Sequence, residues 1–235
     1  SIIISCYNEE SNLMSLFQNI SSFMNEHNKY LWQILLIDDG SRDNTLSMIK
    51  KIRAKDNRFC YIHLSRNFGK ENAMLAGFDY VKGDCCVIMD ADLQHPIEVI
   101  PQMLSLWEEG FDDVYAKRKN RGKESWLRKN LSLTYYKLLQ NISDVDILPN
   151  VGDFRLLDRK CINALKELRE TQRYTKGLYC WIGFNKKEIE FDQGDRTQGI
   201  SSFNYHKLFN LAIEGITSYT IAPLRISTLF GIIAS

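Results

Sequence analysis

The chain has 235 residues, enough for one large α/β domain or for a domain plus an appendage, and its 44% hydrophobic and 25% charged residues are ordinary for a globular protein. Thirty basic and 29 acidic residues leave a net charge of +1, which argues against a dedicated nucleic-acid-binding protein. The six cysteines show no C-x-x-C spacing, so a zinc site is not expected and a reducing, cytosolic environment is indicated.

The first half of the chain alternates predicted strands with predicted helices. Continuous apolar runs predict four strands, at residues 2–6, 31–37, 59–64 and 85–89. Apolar residues at helical spacing predict helices at residues 13–24 and 45–54. Two further helices are predicted, one at residues 71–81 after the sequence RNFGK and one at 96–109 with Pro96 in its first turn. This alternation predicts a mostly parallel sheet with helices on both faces.

The second half of the chain is less regular. Strands are predicted at residues 114–116, 154–158 and 186–191, and helices at residues 126–142 and 203–219. The polar loop 192–199 is expected to be mobile. The apolar tail 221–235 is too short to span a bilayer alone; it is expected to be either a buried terminal helix or the start of a membrane segment of a longer protein. Trimming is also expected at the other end, because the chain begins inside the first strand without a Met.

Acidic or amide residues follow three of the predicted strands. The sequences are YNEE at residues 7–10, DDGS at 38–41 and DADLQ at 90–94. Because the carboxyl ends of parallel strands meet at one edge of a sheet, we expect one shared crevice. Two carboxylates one residue apart repel each other unless a cation joins them, and Mg²⁺ or Mn²⁺ prefers such oxygen ligands together with phosphates. The pattern predicts a site for a metal and a diphosphate; the alternative is a set of solvated acidic turns.

Other common site types lack their motifs. The chain has no G-x-G-x-x-G turn, no Walker-type phosphate loop, no G-x-S-x-G elbow and no H-E-x-x-H pair. Each of the four histidines is interpreted as structural, although His95 lies beside the acidic turn at residues 90–94. The basic stretch 117–129 is either a solvated face or a patch for phosphates or lipid headgroups.

Five motifs occur in an order that resembles a known family. They are residues 7–10, 38–41, 66–70 (RNFGK), 90–94 and 152–156 (GDFRL). The chain resembles family 2 glycosyltransferases of the polyprenyl-phosphate sugar synthase type over residues 2 to about 224. It is most similar to bactoprenol glucosyltransferases of O-antigen modification, and more distantly to dolichyl-phosphate mannose synthases.

The resemblance implies a GT-A catalytic domain at residues 1–200 and an amphipathic, juxtamembrane segment at 201–235. It implies an inverting transfer of a hexose, with glucose favoured, from a UDP-sugar to undecaprenyl phosphate. The reaction would use Mg²⁺ or Mn²⁺ at the cytoplasmic face of the inner membrane and would serve the cell envelope. A homotetramer is the oligomer that the resemblance favours. The alternatives are a GDP-mannose-dependent polyprenyl-phosphate mannosyltransferase, a soluble wall-polymer glycosyltransferase and a non-catalytic scaffold that binds nucleotide sugars.

The resemblance also implies roles for individual residues. The nucleoside pocket would be lined by Tyr7, Asn8, Glu9 and Asp39. The divalent ion and the ribose side would be held by Asp90, Asp92 and Gln94, with Asp92 and Gln94 as the direct metal ligands. The catalytic carboxylate would be Asp153. The phosphates would be bound by Arg118, Arg128 and Arg196.

Structural roles remain open for some of these positions, and the family pattern is not complete. Tyr7 could only pack, Asp38 could only cap the following helix, and Arg128 could only be a helix-surface charge. Residues 199–202 are GISS, where the family usually has G-x-S-K, so a basic residue near the donor phosphates is missing. Arg196 and Lys207 could partly compensate for it.

Overall fold

The computed structural model describes residues 1–119, 151–171 and 173–192, together with residues 228, 231 and 232. Within these residues the strands are β1 Ile2–Cys6, β2 Ile34–Asp38, β3 Phe59–His63, β4 Cys85–Asp90, β5 Asp113–Arg118, β6 Val151–Asp158 and β7 Lys186–Phe191. The helices are α1 Leu13–Glu26, α2 Thr45–Lys55, α3 Lys70–Tyr80, α4 Ile100–Glu108, α5 Arg159–Glu167 and α6 Thr175–Trp181. A short 3₁₀ turn, Ile97–Val99, precedes α4.

The seven strands of the described part form one sheet in the order β3-β2-β1-β4-β6-β5-β7. All neighbouring strands are parallel except β6, which runs antiparallel to both β4 and β5. Helices α1, α2 and α3 connect the first four strands in turn, which is the connection that parallel neighbours require. The predicted α/β class with a mostly parallel sheet is confirmed.

Helices cover both faces of the sheet. Because side chains alternate along a strand, Ile2 and Ile4 point to one face, where they join a core built from α1, α2 and α4. Ile3 points to the other face and packs against α3. The contact is tight, since a Cβ added at Gly77 of α3 would lie 3.0 Å from side-chain atoms of both Ile3 and Ile37. Helix α5 packs on the same side, against α3.

The second strand begins at Ile34, three residues later than predicted. Leu31 is 99% exposed, and the neighbouring indole of Trp32 donates a hydrogen bond of 2.9 Å to the carbonyl of His27 at the end of α1. The residues before Ile34 therefore complete the turn from α1, although their hydrophobicity resembles that of a strand.

The proline in the first turn of α4 is Pro101, whereas the sequence analysis placed Pro96 there. Pro96 precedes the 3₁₀ turn, and its carbonyl accepts a hydrogen bond of 3.2 Å from the Val99 N–H. The predicted helix from 96 to 109 is thus a 3₁₀ turn followed by a shorter α-helix.

Strand β6 begins at Val151 rather than at residue 154, because β5 pairs with it as far as Lys117 and Val151. Asp153 therefore lies inside a strand and not in the turn before it. Helices α5 and α6 were not predicted. Helix α5 follows β6 directly, with Asp158 as its N-cap, whose side chain accepts a hydrogen bond of 2.9 Å from the Lys160 N–H.

The chain divides into two compact units. The first comprises Ser1–Asn120, Asn150–Thr171 and Phe184–Gly199 and contains the whole sheet. The second comprises Arg121–Pro149, Gln172–Gly183 and Ile200–Ser235, and within it the structure describes helix α6.

Several predictions fall outside the described residues. These are the helices at 126–142 and 203–219, the loop at 193–199, the GISS sequence at 199–202, most of the tail at 221–235 and the segment assigned as juxtamembrane. Among the residues that are described, none of the helices has both the length and the apolar character that a membrane span requires.

Candidate active site at the acidic edge of the sheet

The carboxyl ends of four strands lie side by side in the first unit. The strand pairing sets Cys6 beside Asp38, Asp38 beside His63, and Ser5 beside Asp90. We call this row of strand ends, with the loops that follow them, the acidic edge. The expected convergence of the three acidic clusters is therefore present.

The Cys6 thiol shows how close the acids are to one another. Its pKa is raised, chiefly because the side chain is buried and further because Glu9, Asp38 and Asp90 place negative charge around it. Glu9 lies in the loop after β1, Asp38 ends β2 and Asp90 ends β4. Residues of all three acidic clusters therefore raise the pKa of one thiol, which shows that the clusters lie close together.

The loop after β1 is bound to the loop after β2. Asn8 has a positive φ of 57°; its N–H donates to Ser41 Oγ at 3.0 Å, and its Oδ1 accepts from the Arg42 N–H at 2.9 Å. The Glu9 N–H donates to Thr45 Oγ1 at 2.8 Å. The two loops thus hold each other in place with their side chains, which suits a pocket wall.

The side chains of this first loop point in different directions. The Glu9 carboxylate accepts a hydrogen bond of 2.7 Å from Asn12 Nδ2. Tyr7 is 39% exposed, so it does more than fill the core, and its ring is accessible at the acidic edge. Three of the four residues expected to line the nucleoside pocket, Tyr7, Asn8 and Glu9, therefore lie together.

Asp38 and Asp39 follow β2 and are both buried. Asp38 accepts from the Ser41 N–H at 3.1 Å and contacts His63 Nδ1 at 2.7 Å. It stabilises the turn and the end of β3, and it does not cap α2, whose N-cap is Asn44. The suggestion that Asp38 is a helix cap is wrong because the helix begins too far along the chain.

Asp39 binds the segment that leads into α3. Its two carboxylate oxygens accept from the N–H groups of Phe68 and Gly69, at 2.7 and 2.9 Å. Burial raises the pKa of Asp39, and these two hydrogen bonds oppose the rise by stabilising the anion. The side chain lies at the acidic edge as expected, but it also fixes the backbone of a neighbouring loop.

The turn after β4 is organised around His95. The Asp90 N–H donates to His95 Nδ1 at 3.0 Å, which leaves the ring proton on Nε2. The ring is buried and stacks on Phe154 of β6, with ring centroids 4.6 Å apart. Burial lowers the pKa of His95, and the negative charge of Asp90 partly opposes this, so the neutral imidazole is favoured. The structure gives His95 the structural role expected of it.

Asp92 and Gln94 lie in the same turn. Asp92 Oδ1 accepts from the Gln94 N–H at 3.2 Å, and Leu93 between them has a positive φ of 61°. The charges of both Asp90 and Asp92 act on the His95 ring. The three residues expected to hold a metal therefore belong to one short, tightly turned loop.

Asp153 reaches the acidic edge from the antiparallel strand β6. The pairing of β4 with β6 ends at Ile88 and Arg155, and Asp90 and Asp153 each lie two residues beyond this last pair, toward the acidic edge. The link between the two acids is Lys70, whose Nζ lies 2.5 Å from Asp90 Oδ1 and 2.7 Å from Asp153 Oδ2. The carboxylate expected to be catalytic therefore lies next to the expected metal loop.

Lys70 is the residue at this edge to which the sequence analysis gave no role. Burial tends to lower the pKa of Lys70, but the negative charges of Asp153 and Asp90 outweigh this and raise it, so the side chain stays cationic. The sequence feature that could have indicated a role for Lys70 is its place in the RNFGK motif, directly after Gly69. In the structure Lys70 is the first residue of α3.

Arg118 ends β5, which runs in the same direction as β4, so it lies at the same edge. Its positive charge acts on the His95 ring. Its neighbours in the basic stretch form ion pairs with acids at β7: Lys117 with Glu188 at 3.0 Å and Lys119 with Asp192 at 3.5 Å. The other two arginines expected to bind phosphates, Arg128 and Arg196, lie outside the described residues.

The side chains at the acidic edge fit a cation that is shared with a substrate. In the part of the chain that the structure describes, no group of three or more His, Cys, Asp or Glu could hold a metal by itself. Mg²⁺ and Mn²⁺ are usually bound by one or two carboxylates together with substrate phosphates, not by a complete protein cage. The acids Asp90 and Asp92 on one loop match that kind of site.

Fold and site together define a class of protein. Ligands of open α/β sheets bind beyond the carboxyl ends of the strands, and here that region carries carboxylates and cations suited to a nucleotide-bound substrate. The sequence profile of Glycosyl transferase family 2 matches residues 1–165. The chain belongs to this family and is a glycosyltransferase, which confirms the resemblance drawn from its motifs.

Similar proteins cover almost the whole chain. The uncharacterized glycosyltransferase sll0501 of Synechocystis sp. is 41% identical over 235 residues, which are 100% of this chain and 74% of that protein. The bactoprenol glucosyl transferase of Shigella phage SfV is 39% identical over 232 residues, covering 99% of this chain and 75% of that protein.

Two solved structures share the fold at low sequence identity. The mannosyltransferase PcManGT of Pyrobaculum calidifontis, in complex with GDP-Man and Mn²⁺, is 15% identical with a TM-score of 0.59, over 88% of this chain and 58% of that one. The glucosyl-3-phosphoglycerate synthase of Mycobacterium tuberculosis, in complex with Mn²⁺, UDP and glucosyl-3-phosphoglycerate, is 16% identical with a TM-score of 0.55, over 90% and 75%. These likenesses concern the fold.

Proposed function

We propose that this glycosyltransferase moves a hexose, glucose in the first instance, from a UDP-sugar to undecaprenyl phosphate with inversion at the sugar. The similarity to a bactoprenol glucosyl transferase over 99% of the chain supports the lipid acceptor and the glucosyl group. The structural observation that carries the proposal is that β4 and β6 bring Asp90 and Asp153 to the same Lys70 ammonium. The carboxylate that we assign to the sugar and the loop that we assign to the diphosphate are thus held by one cation.

The donor would bind across the acidic edge. We assign the nucleoside to Tyr7, Asn8, Glu9 and Asp39, whose loops are joined by hydrogen bonds. The diphosphate would lie over the turn after β4. Arg118, together with Arg128 and Arg196, would provide charge-assisted hydrogen bonds to its oxygens.

Asp92, Gln94 and Asp90 are the residues that would hold Mg²⁺ or Mn²⁺, which when bound supplies Lewis-acid charge to the leaving nucleoside diphosphate. The cation in the M. tuberculosis structure with UDP, and in the P. calidifontis structure with GDP-Man, is Mn²⁺. The fit rests on the two carboxylates of the turn, Asp90 and Asp92, since among the described residues no cluster of three acids, histidines or cysteines could hold the ion alone.

The transfer itself requires little proton chemistry. A phosphate monoester has a second pKa of about 6, so the acceptor is mostly dianionic at neutral pH and its oxygen is already nucleophilic. That oxygen attacks the anomeric carbon while the bond to the diphosphate breaks, and the leaving nucleotide takes the electron pair. We assign Asp153 to orienting the acceptor and to stabilising positive charge that develops on the sugar ring.

The proposed setting is the cytoplasmic face of the inner membrane, in the synthesis of the cell envelope. An amphipathic segment predicted from the sequence at 203–219 would lie along the bilayer surface there. We also propose that the protein forms a homotetramer, on the ground of its family resemblance.

The experiment measures transfer from UDP-glucose to undecaprenyl phosphate in detergent with Mn²⁺ or Mg²⁺. We expect Asp92→Ala and Asp153→Asn each to lower kcat/KM by roughly 10²-fold or more. Asp84→Asn is the matched control, since Asp84 is exposed just before β4, at the opposite end from Asp90, and should change little. Transfer from GDP-mannose instead would favour the mannosyltransferase, and no transfer from any donor would favour the scaffold.

A second measurement tests the role of Asp153. If Asp153 orients the acceptor and stabilises positive charge on the sugar, the Asp153→Asn variant should lose activity to a similar extent at about pH 6 and about pH 8.5. A variant that is inactive near pH 6 but largely active at about pH 8.5 would show that proton abstraction is the role instead.

A further inference from the structure

Lys70 joins two carboxylates that come from strands far apart in sequence. Its Nζ is 2.5 Å from Asp90 Oδ1 and 2.7 Å from Asp153 Oδ2, and its side chain is 38% exposed while that of Asp153 is 11% exposed. The ammonium thus lies at the acidic edge, partly exposed to solvent, between the end of β4 and the strand β6.

The backbone that carries Lys70 is held firmly. Gly69, the N-cap of α3, has a φ of 90°, and its N–H is bound by Asp39, as is that of Phe68. Further along α3, Gly77 packs directly on the sheet. A side chain anchored at this point is positioned by the fold, which distinguishes it from a mobile surface lysine.

The carboxylates around the Lys70 ammonium stabilise it in this position. Asp90 and Asp153 lie within contact distance of one cation, and Asp92 adds a third carboxylate in the same turn. Like charges this close destabilise each other unless a cation lies between them. His95 is not a substitute, because its Nε2 is 3.9 Å from Asp90 Oδ2 and its ring is stacked on Phe154.

A divalent cation bound by the turn after β4 would need the same carboxylate that Lys70 holds. We propose that Lys70 is a positioning residue that competes with the divalent cation for Asp90 and keeps Asp153 directed at the acidic edge. When the divalent cation is absent, Lys70 neutralises Asp90 and Asp153. When the cation binds Asp90, Lys70 keeps its contact with Asp153. The second part rests on the proposed sugar transfer, whereas the competition for Asp90 rests only on the metal site proposed at this turn.

The first test is Mn²⁺ binding, measured by electron paramagnetic resonance of free Mn²⁺, with and without UDP. Removing a positive charge from beside the cation site should strengthen binding, so Lys70→Met should bind Mn²⁺ on the order of tenfold more tightly than the unchanged protein. Lys70→Arg should retain the weaker affinity. Lys82→Met, which removes an exposed lysine just before β4, should have no effect.

The second test is kinetic. At saturating Mn²⁺ and donor, Lys70→Met should lower kcat by roughly tenfold or more with little change in the KM of the donor, because Asp153 loses its positioning contact. Lys70→Arg should restore part of kcat. Tighter Mn²⁺ binding combined with slower transfer is a pattern that general damage to the fold does not produce.

The outcomes separate the two proposals. If Lys70→Met binds Mn²⁺ no more tightly than the unchanged protein, or if neither binds it, the competition is wrong. If Asp92→Ala in the Lys70→Met background does not weaken Mn²⁺ binding, the ion lies elsewhere and the competition is also wrong. If binding tightens as expected but no sugar is transferred to undecaprenyl phosphate, the competition stands and the proposed function fails. Thermal unfolding of each variant checks that it is folded.

Discussion

At the scale of single residues, the site depends on side chains that bind backbone. Asp39 uses both carboxylate oxygens on the N–H groups of Phe68 and Gly69, and Asn8 and Ser41 join the loops after β1 and β2. These contacts hold the loops that precede Lys70 and that carry the predicted nucleoside pocket. Asp39 and Asn8 therefore shape the site through the backbone that they bind, in addition to the nucleoside contacts proposed for them.

Gly40 allows the closest of these approaches. It has a φ of +66°, and a Cβ at this position would lie 2.4 Å from the carbonyl carbon of Arg66. Gly40→Ala should therefore destabilise the protein by more than the about 1–2 kcal/mol that a left-handed backbone costs a residue with a side chain. The measurement is urea unfolding.

Gly110→Ala is the matched control for this prediction. Gly110 has a φ of +102°, but a Cβ there would meet no atom within 4 Å. The control should show the backbone cost without the clash. An equal loss of stability in the two variants would contradict the steric explanation.

At the scale of elements, the antiparallel strand β6 brings Asp153 to the acidic edge. It is anchored by Arg155, which is 3% exposed and donates a hydrogen bond of 2.9 Å to the fully buried Asp113 of β5. Arg155 also donates to the Gly152 carbonyl at 3.4 Å, next to Asp153. Burial raises the pKa of Asp113, and the positive charge of Arg155 opposes the rise. The pair joins β5 to β6 at the last regular position before their register shifts, close to the predicted catalytic residue.

Arg155→Met should destabilise the protein by about 3–5 kcal/mol, because it leaves the Asp113 carboxylate buried without its cationic partner. The double variant Arg155→Met, Asp113→Leu should lose less, since it removes both charges. Guanidinium unfolding measures these free energies. Arg169→Met, which breaks the surface pair with Asp79, is the control and should have a small effect.

A double variant no more stable than Arg155→Met alone would contradict this explanation. It would mean that Arg155 contributes through packing on its neighbours, such as the Tyr115 ring 5.9 Å away, and not through its charge.

At the scale of the whole molecule, the acidic edge unites residues that are distant along the chain. Asp39 in the loop after β2 binds the segment that leads into α3, and Lys70 at the start of α3 contacts Asp90 and Asp153. A ligand that binds this edge contacts several elements of the first unit at once. It should therefore stabilise the folded state as a whole.

UDP with Mn²⁺ should raise the melting temperature. At a ligand concentration of about 100 Kd the stabilisation is about 2.7 kcal/mol, which corresponds to a shift of roughly 5–10 °C for a protein of this size. Differential scanning fluorimetry gives the shift. Asp92→Ala should abolish most of it, and GDP with Mn²⁺ should produce a smaller shift. The same rise in Asp92→Ala, or in the presence of EDTA, would show that the nucleotide binds without this site.

Much of the fold was predictable because it follows from local patterns. The buried strands are continuous apolar runs and α1 has apolar residues at helical spacing; these elements and the helices α2 and α3 were predicted to within a few residues. The start of β2 was predicted three residues too early. Trp32 is apolar because it packs at the end of α1, and not because it belongs to the strand. Helices α5 and α6 are only nine and seven residues long, so their apolar residues span too few turns for the helical period to be recognised.

The sequence by itself determined the class of the sheet, the row of acids at its strand ends and the family, since each depends on residues close together along the chain. Only the tertiary structure decided that β6 runs antiparallel, that Asp153 lies near Asp90 and that Lys70 contacts both. Residues 70, 90 and 153 belong to three separate elements, and their distances depend on how those elements pack. Packing is a sum over many long-range contacts, so no local pattern in the sequence records it.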